Sequence, residues 1–542
     1  MSQPAFPAWT WRIPEYFNIG VACTDAHLGS AIEARTAMIV EDDTLGTTTA
    51  TYRELADASL RFAQLLRDLG VGLGTRVLIR LPNSLAYPTA FFGTMKRGAI
   101  AVPTSTLLTA EEVLYLAKDS GAEVLVTDKA MWADLRAQLN GLDQLRHVFL
   151  TGPGAVQDAA GLNVLDLGEA LAGIAQWVPA EATRAEDPAY LVYTSGTTGY
   201  PKGVLHAHRA MIGREPAAQY WFDFAANGED RIVHSGKFNW TYVLGSGLMD
   251  PLYRGKTVIV HEGKNDAAGW IHLLAKHRAS IFIGVPTIYR QILQKTAAGA
   301  GAVPSLRHCM SAGEHLSDEV LTQWRERFGR DIYEAVGMSE CSYYLSENTQ
   351  RPIRPGSAGF PQPGHGVRLL DPETLQPVPT GAEGMIAIPA DDPGLFLRYW
   401  NLPEETAKVM CGDWFLTGDY AHFDADGYIW FLGRKDDIIN SFGYRVSPHE
   451  IERVMKNHAD VADCAATGEG LGQDKVLVVA YVVARPGSDI NADGLLAYAR
   501  QHLAAYKVPK IVYLVADYPR TKNGKIIRKQ LQPGLALSRS SL

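Results

Sequence analysis

Between Tyr193 and Gly203 the chain reads Tyr-Thr-Ser-Gly-Thr-Thr-Gly-Tyr-Pro-Lys-Gly. Thr194, Ser195, Thr197 and Thr198 supply hydroxyl donors. Gly196, Gly199 and Gly203 let backbone N–H groups close on a polyanion without interference from a Cβ. Lys202 adds a mobile positive charge suited to phosphate oxygens. Together these residue types can cradle a phosphate chain. The string is not the G-x-x-x-x-G-K-[ST] nucleotide loop, and it does not match a dinucleotide fingerprint. A solvated Gly/Thr-rich connection is the bland alternative for a loop of this composition.

The full string decides against that alternative, because it resembles the long signature of the adenylate-forming superfamily of acyl-CoA synthetases, adenylation domains and luciferases. Segments similar to the other family motifs follow in the family's order and span nearly the whole chain. Ser311-Ala-Gly313-Glu314 resembles the segment that borders adenine. Val336-Gly337-Met338-Ser339-Glu340 resembles Y-G-x-T-E, with Val336 in place of the usual aromatic and Ser339 in place of Thr. The serine keeps a hydroxyl for the α-phosphate, and the valine offers the base an aliphatic surface. By this match Glu340 holds Mg²⁺, a hard cation that prefers carboxylate and phosphate oxygens. Thr417-Gly-Asp419 matches the motif whose aspartate accepts hydrogen bonds from the ribose hydroxyls, work suited to an acceptor-only group. Gly433-Arg434-Lys-Asp436-Asp437 matches the interdomain hinge, with Arg434 near ribose or phosphates and Asp436 as the pivot. Gly443 and Arg445 match positions lining the coenzyme A tunnel. In Pro519-Arg-Thr-Lys-Asn-Gly-Lys525-Ile-Ile-Arg528, Lys525 follows the motif glycine and takes the place of the family's catalytic lysine, rather than Lys522 or Lys529. Taken singly, these are an ordinary turn, a charged loop and a basic tail.

The resemblance implies an ATP-dependent acid–CoA ligase that uses ATP, Mg²⁺ and coenzyme A on a small carboxylic acid. A carboxylate is a poor acyl donor because its leaving group would be oxide, and adenylation replaces that group with AMP. Two anions meet when the acid attacks the α-phosphorus, so positive charge must be supplied as the transition state forms. Lys525 would bridge carboxylate and α-phosphate while the Thr-rich loop and Lys202 hold the departing pyrophosphate. Losing one such contact costs on the order of 10²–10³ in rate. In the second step the CoA thiolate attacks the acyl carbonyl, and a rotation about Asp436 would exchange Lys525 for the Gly443 face. Two other readings stay open: a stand-alone adenylating enzyme that loads a carrier protein, and a catalytically retired nucleotide-binding homologue. The intact set of Thr-rich loop, Glu340, Asp419 and Lys525 argues against the last.

The identity of the acid rests on fewer residues. Lys237-Phe-Asn239-Trp240-Thr241-Tyr242-Val-Leu-Gly245 resembles the pocket segment of benzoate-CoA ligases and medium-chain acyl-CoA synthetases. Leu81-Pro-Asn-Ser84 and Ala101–Leu108 strengthen the link to the benzoate group. The match puts Trp240, Thr241 and Tyr242 at an acyl pocket, with Gly337, Met338 and Tyr343 opposite. Aromatic walls and one Met suit an aromatic, cyclic or short to medium-chain acid; the bland reading makes several of these core residues. Asn239 stands where amino-acid-activating domains place an aspartate. Its neutral amide argues against an α-amino acid and is suited to an ortho hydroxyl or amino group.

These residues need a large α/β frame. A chain of 542 residues exceeds what one hydrophobic core organises. Strand-like runs at Arg76–Arg80, Ala122–Thr127, Thr257–Val260 and Ser280–Gly284 alternate with helical patterns, one opened by a capping box at Thr109–Glu112 and stopped at Gly121. That alternation predicts mainly parallel sheets flanked by helices over 1–432. Near residue 433 the composition shifts to a small α+β unit, 433–542, expected to be mobile. There Ser447-Pro-His-Glu450 caps a helix, and Val476–Val483 and Ile511–Val515 read as strands. The balance of 51 basic and 59 acidic residues, net −8, points to neither a nucleic acid nor a membrane partner. Five scattered cysteines outside any C-x-x-C pair, and no signal-like leader or apolar run of roughly 18 residues, fit a reduced cytoplasm. Related ligases often dimerise, so a homodimer is compatible with the resemblance.

Overall fold

A computed structural model describes residues 8–540 apart from 140–141, 195–200, 226–227, 265, 314–315, 435–436, 438, 442–443, 471–475, 504, 506 and 521–525, and apart from the side chains of 440, 444 and 445. Among the described residues, two large sheets carry the N-terminal part. One has nine strands, with a parallel centre of Ile332–Met338, His308–Ala312, Ile281–Ile283, Arg231–His234, Thr257–Glu262 and Thr36–Asp42. The other has eight, its parallel part running from Pro188–Thr194 through Ile100–Pro103, Arg76–Arg80, Val124–Asp128 and His147–Thr151 to Asn163–Asp166. Antiparallel strands close both edges near the candidate site. A smaller antiparallel sheet contains Gly384–Pro389, Trp414–Phe423 and Ile429–Arg434.

Local chemistry sets the element ends. Thr109 and Glu112 form the expected reciprocal cap on the helix Ala110–Ser120, and Gly121 ends it at φ 62°. Ser447 accepts from the Glu450 N–H at the start of Pro448–Lys456. That helix packs on a sheet of Val461–Gly470, Val476–Ala484, Ile511–Val515 and Ala536–Arg539, an α+β unit with its own apolar core. The fold is therefore the large mainly parallel α/β part and smaller α+β part that the alternation predicts.

One local difference matters for the site. A strand that the sequence did not signal follows the Thr-rich segment. Lys202–Ala207 is a strand that pairs antiparallel with Pro188–Thr194, bringing Thr194 opposite Lys202, and a 3₁₀ helix begins only at His208. Lys202 thus opens the second arm of this antiparallel pair. That short arm lies between its partner and Arg398–Tyr399, which supply the ladder bonds that six residues could not hold alone.

Candidate active site

Four of the sequence-selected polar residues gather where the two large sheets and the small one meet. Lys202 leaves its strand and places Nζ 2.5 Å from Glu405 Oε2, with the Tyr399 ring 5.5 Å away. The ion pair with Lys202, and then Lys408, holds the Glu405 carboxyl down at about 2. Tyr399 also donates its hydroxyl to Glu340 Oε1 at 2.7 Å. Glu340 is buried, and its backbone carbonyl accepts from the Phe396 N–H at 2.8 Å. Asp419 and Arg434 sit opposite one another on neighbouring strands, with Nε and Oδ1 3.3 Å apart. The nearby Asp419 charge, and beyond it that of Glu340, pushes the Arg434 guanidinium further towards its charged form. Thr417 anchors this part of the strand Trp414–Phe423, donating to the Ile386 carbonyl and accepting from the Asp419 N–H.

The segment before Glu340 is shaped by Gly337. A Cβ there would lie 2.0 Å from the Ser342 carbonyl oxygen, so only glycine lets the two strands cross at the irregularity between Val336 and Gly337. Ser339 is held through its carbonyl, which accepts from His206 Nε2 at 2.7 Å. Burial pushes His206 down to about 4, so the ring is neutral with its proton on Nε2. Val336 and Met338 pack partly buried against the main core.

Gly313 follows the strand His308–Ala312, which pairs with Ile332–Met338, and borders the aromatic segment. It lies at φ 93°, and a Cβ on it would come within 3.2 Å of the Trp240 ring. From Trp240 the rings continue in edge, stacked and tilted contacts in turn: Tyr242 at 5.3 Å, Trp221 at 6.2 Å from Tyr242, and Tyr343 at 4.6 Å from Trp221. Asn239 and Thr241 flank Trp240 and are half-buried. Asn83, from the Leu81–Ser84 string, fixes the entry to this segment by accepting from the Phe238 N–H and donating to the Gly236 carbonyl. The phenol of Tyr343 is already engaged, hydrogen-bonded to Arg214 and Asp250, which form a buried bidentate ion pair with each other.

Tyr399, Glu405, Arg214 and Asp250 were not singled out by the sequence. The partners that tie them to the site lie 36 to 203 residues away. Ser195, Gly196, Thr197, Thr198, Gly199, Glu314, Asp436, Gly443 and Lys525 lie outside the described residues, as does the side chain of Arg445.

The family model for AMP-binding enzyme matches residues 32–400, and that for the AMP-binding enzyme C-terminal domain matches 450–525. The chain belongs to the AMP-binding enzyme family. This AMP-binding enzyme is 32% identical over 526 residues to the benzoate–CoA ligase of Thauera aromatica, covering 96% of the chain and 97% of that relative. It is 33% identical over 502 residues to a 3-hydroxybenzoate–CoA ligase of Aromatoleum sp. (strain CIB), covering 91% and 93%. Among solved structures, an anthranilate CoA ligase in complex with anthranoyl-AMP superposes with TM-score 0.84 at 29% identity, covering 95% and 96% of the two chains. A benzoate CoA ligase from Burkholderia xenovorans LB400 does so with TM-score 0.83 at 30% identity, covering 95% and 99%. Both the class, AMP-forming acyl-CoA synthetase, and the family's use of ATP and coenzyme A follow. Among the described residues, no helix is long and apolar enough to cross a membrane.

Proposed function

We propose that this AMP-binding enzyme activates an aromatic carboxylic acid as its acyl-adenylate and transfers the acyl group to coenzyme A. The observation that carries the reading is the close approach of Gly313 to Trp240, which sets the start of the aromatic row at the end of the strand that pairs with Ile332–Met338, the strand leading to Glu340. A ring acid lying along Trp240 and Tyr242 would present its carboxylate towards the polar cluster around Glu340. The relatives that act on benzoate and hydroxybenzoate support the same choice.

In this reading Asp419 binds the ribose hydroxyls, Arg434 and Lys202 face the phosphates, and Lys525 bridges the reacting carboxylate and α-phosphate. The hinge at Asp436 and the division near 432/433 would let Gly443 and Arg445 replace Lys525 for the thiol step. The Glu340 carboxylate suits Mg²⁺: it is a hard oxygen donor, and among the described residues no hydrogen bond reaches its Oε2. When bound, Mg²⁺ would neutralise phosphate charge. Analysis of the products from benzoate, ATP and coenzyme A tests the proposal. AMP, pyrophosphate and benzoyl-CoA are expected, and ADP with inorganic phosphate would overturn it.

A further inference from the structure

Tyr399 lies between the two charges that the reaction must coordinate. Its hydroxyl donates to Glu340 Oε1 at 2.7 Å, and its ring face lies 5.5 Å from Lys202 Nζ. The side chain is 7% exposed and leans on Phe396 at 4.8 Å between ring centroids. Its backbone is fixed on both sides. Tyr399 pairs with Val204 on the strand that begins at Lys202, and its N–H donates to Thr406 Oγ1 at 3.0 Å. The same short connection supplies Glu405, which holds Lys202.

We propose that Tyr399 is a positioning residue for the metal-dependent half of the reaction. Its phenol fixes the rotamer of Glu340 by occupying Oε1, which leaves Oε2 aimed for a divalent cation, and its ring supports Lys202 beside the phosphate chain. The inference rests on the roles proposed for Glu340 and Lys202. A carboxylate that rotates freely must lose that freedom when it ligates, whereas one already held by a charge-assisted hydrogen bond has lost it in folding. The cation–π contact restrains Lys202 in the same way without consuming a donor it needs for phosphate.

Direct metal binding tests this in the full-length protein. Mn²⁺ serves as the probe, followed by electron paramagnetic resonance with a non-hydrolysable ATP analogue present. Tyr399→Phe keeps the ring and removes only the hydroxyl. It is expected to weaken Mn²⁺ binding by roughly tenfold, the scale of one hydrogen bond to a charged group, while metal-free binding of the analogue stays unchanged. Glu340→Gln should weaken Mn²⁺ more, and the double variant should be no worse than Glu340→Gln alone, since the phenol acts through the carboxylate. Tyr399→Leu removes the ring as well and should also weaken metal-free analogue binding by several-fold. Wild-type Mn²⁺ affinity in Tyr399→Phe, alongside a loss in Glu340→Gln, overturns the positioning role and leaves the Glu340 assignment standing. Unchanged affinity in Glu340→Gln removes that assignment and the inference with it. Equal analogue binding in Tyr399→Leu and Tyr399→Phe overturns the ring's part.

Discussion

Replacing Arg528 by methionine should destabilise the C-terminal unit selectively. Arg528 sits three residues after Lys525 and grips Glu452 with both terminal guanidinium nitrogens, the Nη2–Oε2 bond measuring 3.0 Å. Glu452 is 5% exposed on the helix Pro448–Lys456. After the substitution it would keep the Ala466 N–H at 2.8 Å and His449 at 3.4 Å but lose its full counter-charge. Removing one partner of a buried pair costs about 3–5 kcal/mol. In a unit of this size that lowers the melting transition by at least ~10 °C. The pH dependence gives a second handle. Burial alone would raise the Glu452 pKa, but the Arg528 charge overrides it and holds the carboxyl well below its usual range. In the native protein this stabilisation is present above the unfolded carboxyl pKa and is lost as pH falls through the folded one. In Arg528→Met burial is opposed only by His449 and the Ala466 N–H, so the neutral acid is better tolerated and the deficit should shrink between pH 7.5 and pH 5. Scanning calorimetry of the full chain at both pH values measures this. Arg528→Met combined with Glu452→Leu, which leaves no buried charge, should recover most of the loss. A deficit below about 1 kcal/mol at pH 7.5, or one that does not change with pH, would refute the reasoning.

Other expectations can be checked alongside. Glu347 is buried with one oxygen accepting from the Glu334 N–H, and burial, then the neighbouring Glu334 charge, raises its pKa well above normal; burial lifts Glu334 itself to about 8. Stability from these carboxyls is full below their unfolded pKa and declines as pH rises through the folded values, so Glu347→Gln should gain on the wild type by on the order of 1–2 kcal/mol between pH 5 and pH 8.5, read by denaturant titration. Gly337→Ala places a Cβ 2.0 Å from the Ser342 oxygen and should cost about 1–3 kcal/mol while displacing Ser339 and Glu340, seen as lost ATP binding by calorimetric titration. Lys525→Ala should lower the adenylation half-reaction on the order of 10²–10³-fold or more while leaving the thiol step from added acyl-adenylate nearly intact, in single-turnover assays. Asn239→Ala should erase any preference for ortho-hydroxy or ortho-amino benzoates over benzoate in kcat/KM.

Much of the frame was legible because its signals are local. The capping box at Thr109, the Ser447 cap and the β-branched run Ile511–Val515 each carry their instruction within a few residues. The strand Lys202–Ala207 was missed because its partners are the strand Pro188–Thr194 and a two-residue strand almost 200 positions away. The site divides in the same way. Asp419, Glu340 and Lys202 stand in motif strings, whereas Tyr399 and the Arg214–Asp250 pair take their meaning from tertiary neighbours alone. A buried arginine in the helix His208–Arg214 looks like a surface residue until Asp250 and Tyr343 are placed against it.

The central claim is tested most directly by pyrophosphate release from ATP and Mg²⁺ across acetate, hexanoate, cyclohexanecarboxylate, benzoate and ortho-substituted benzoates, each with and without coenzyme A. An aromatic-acid ligase predicts sustained, CoA-dependent release that is fastest with the ring acids. Release that reaches its full rate without coenzyme A and yields no acyl-CoA, or turnover confined to the aliphatic acids, would contradict it.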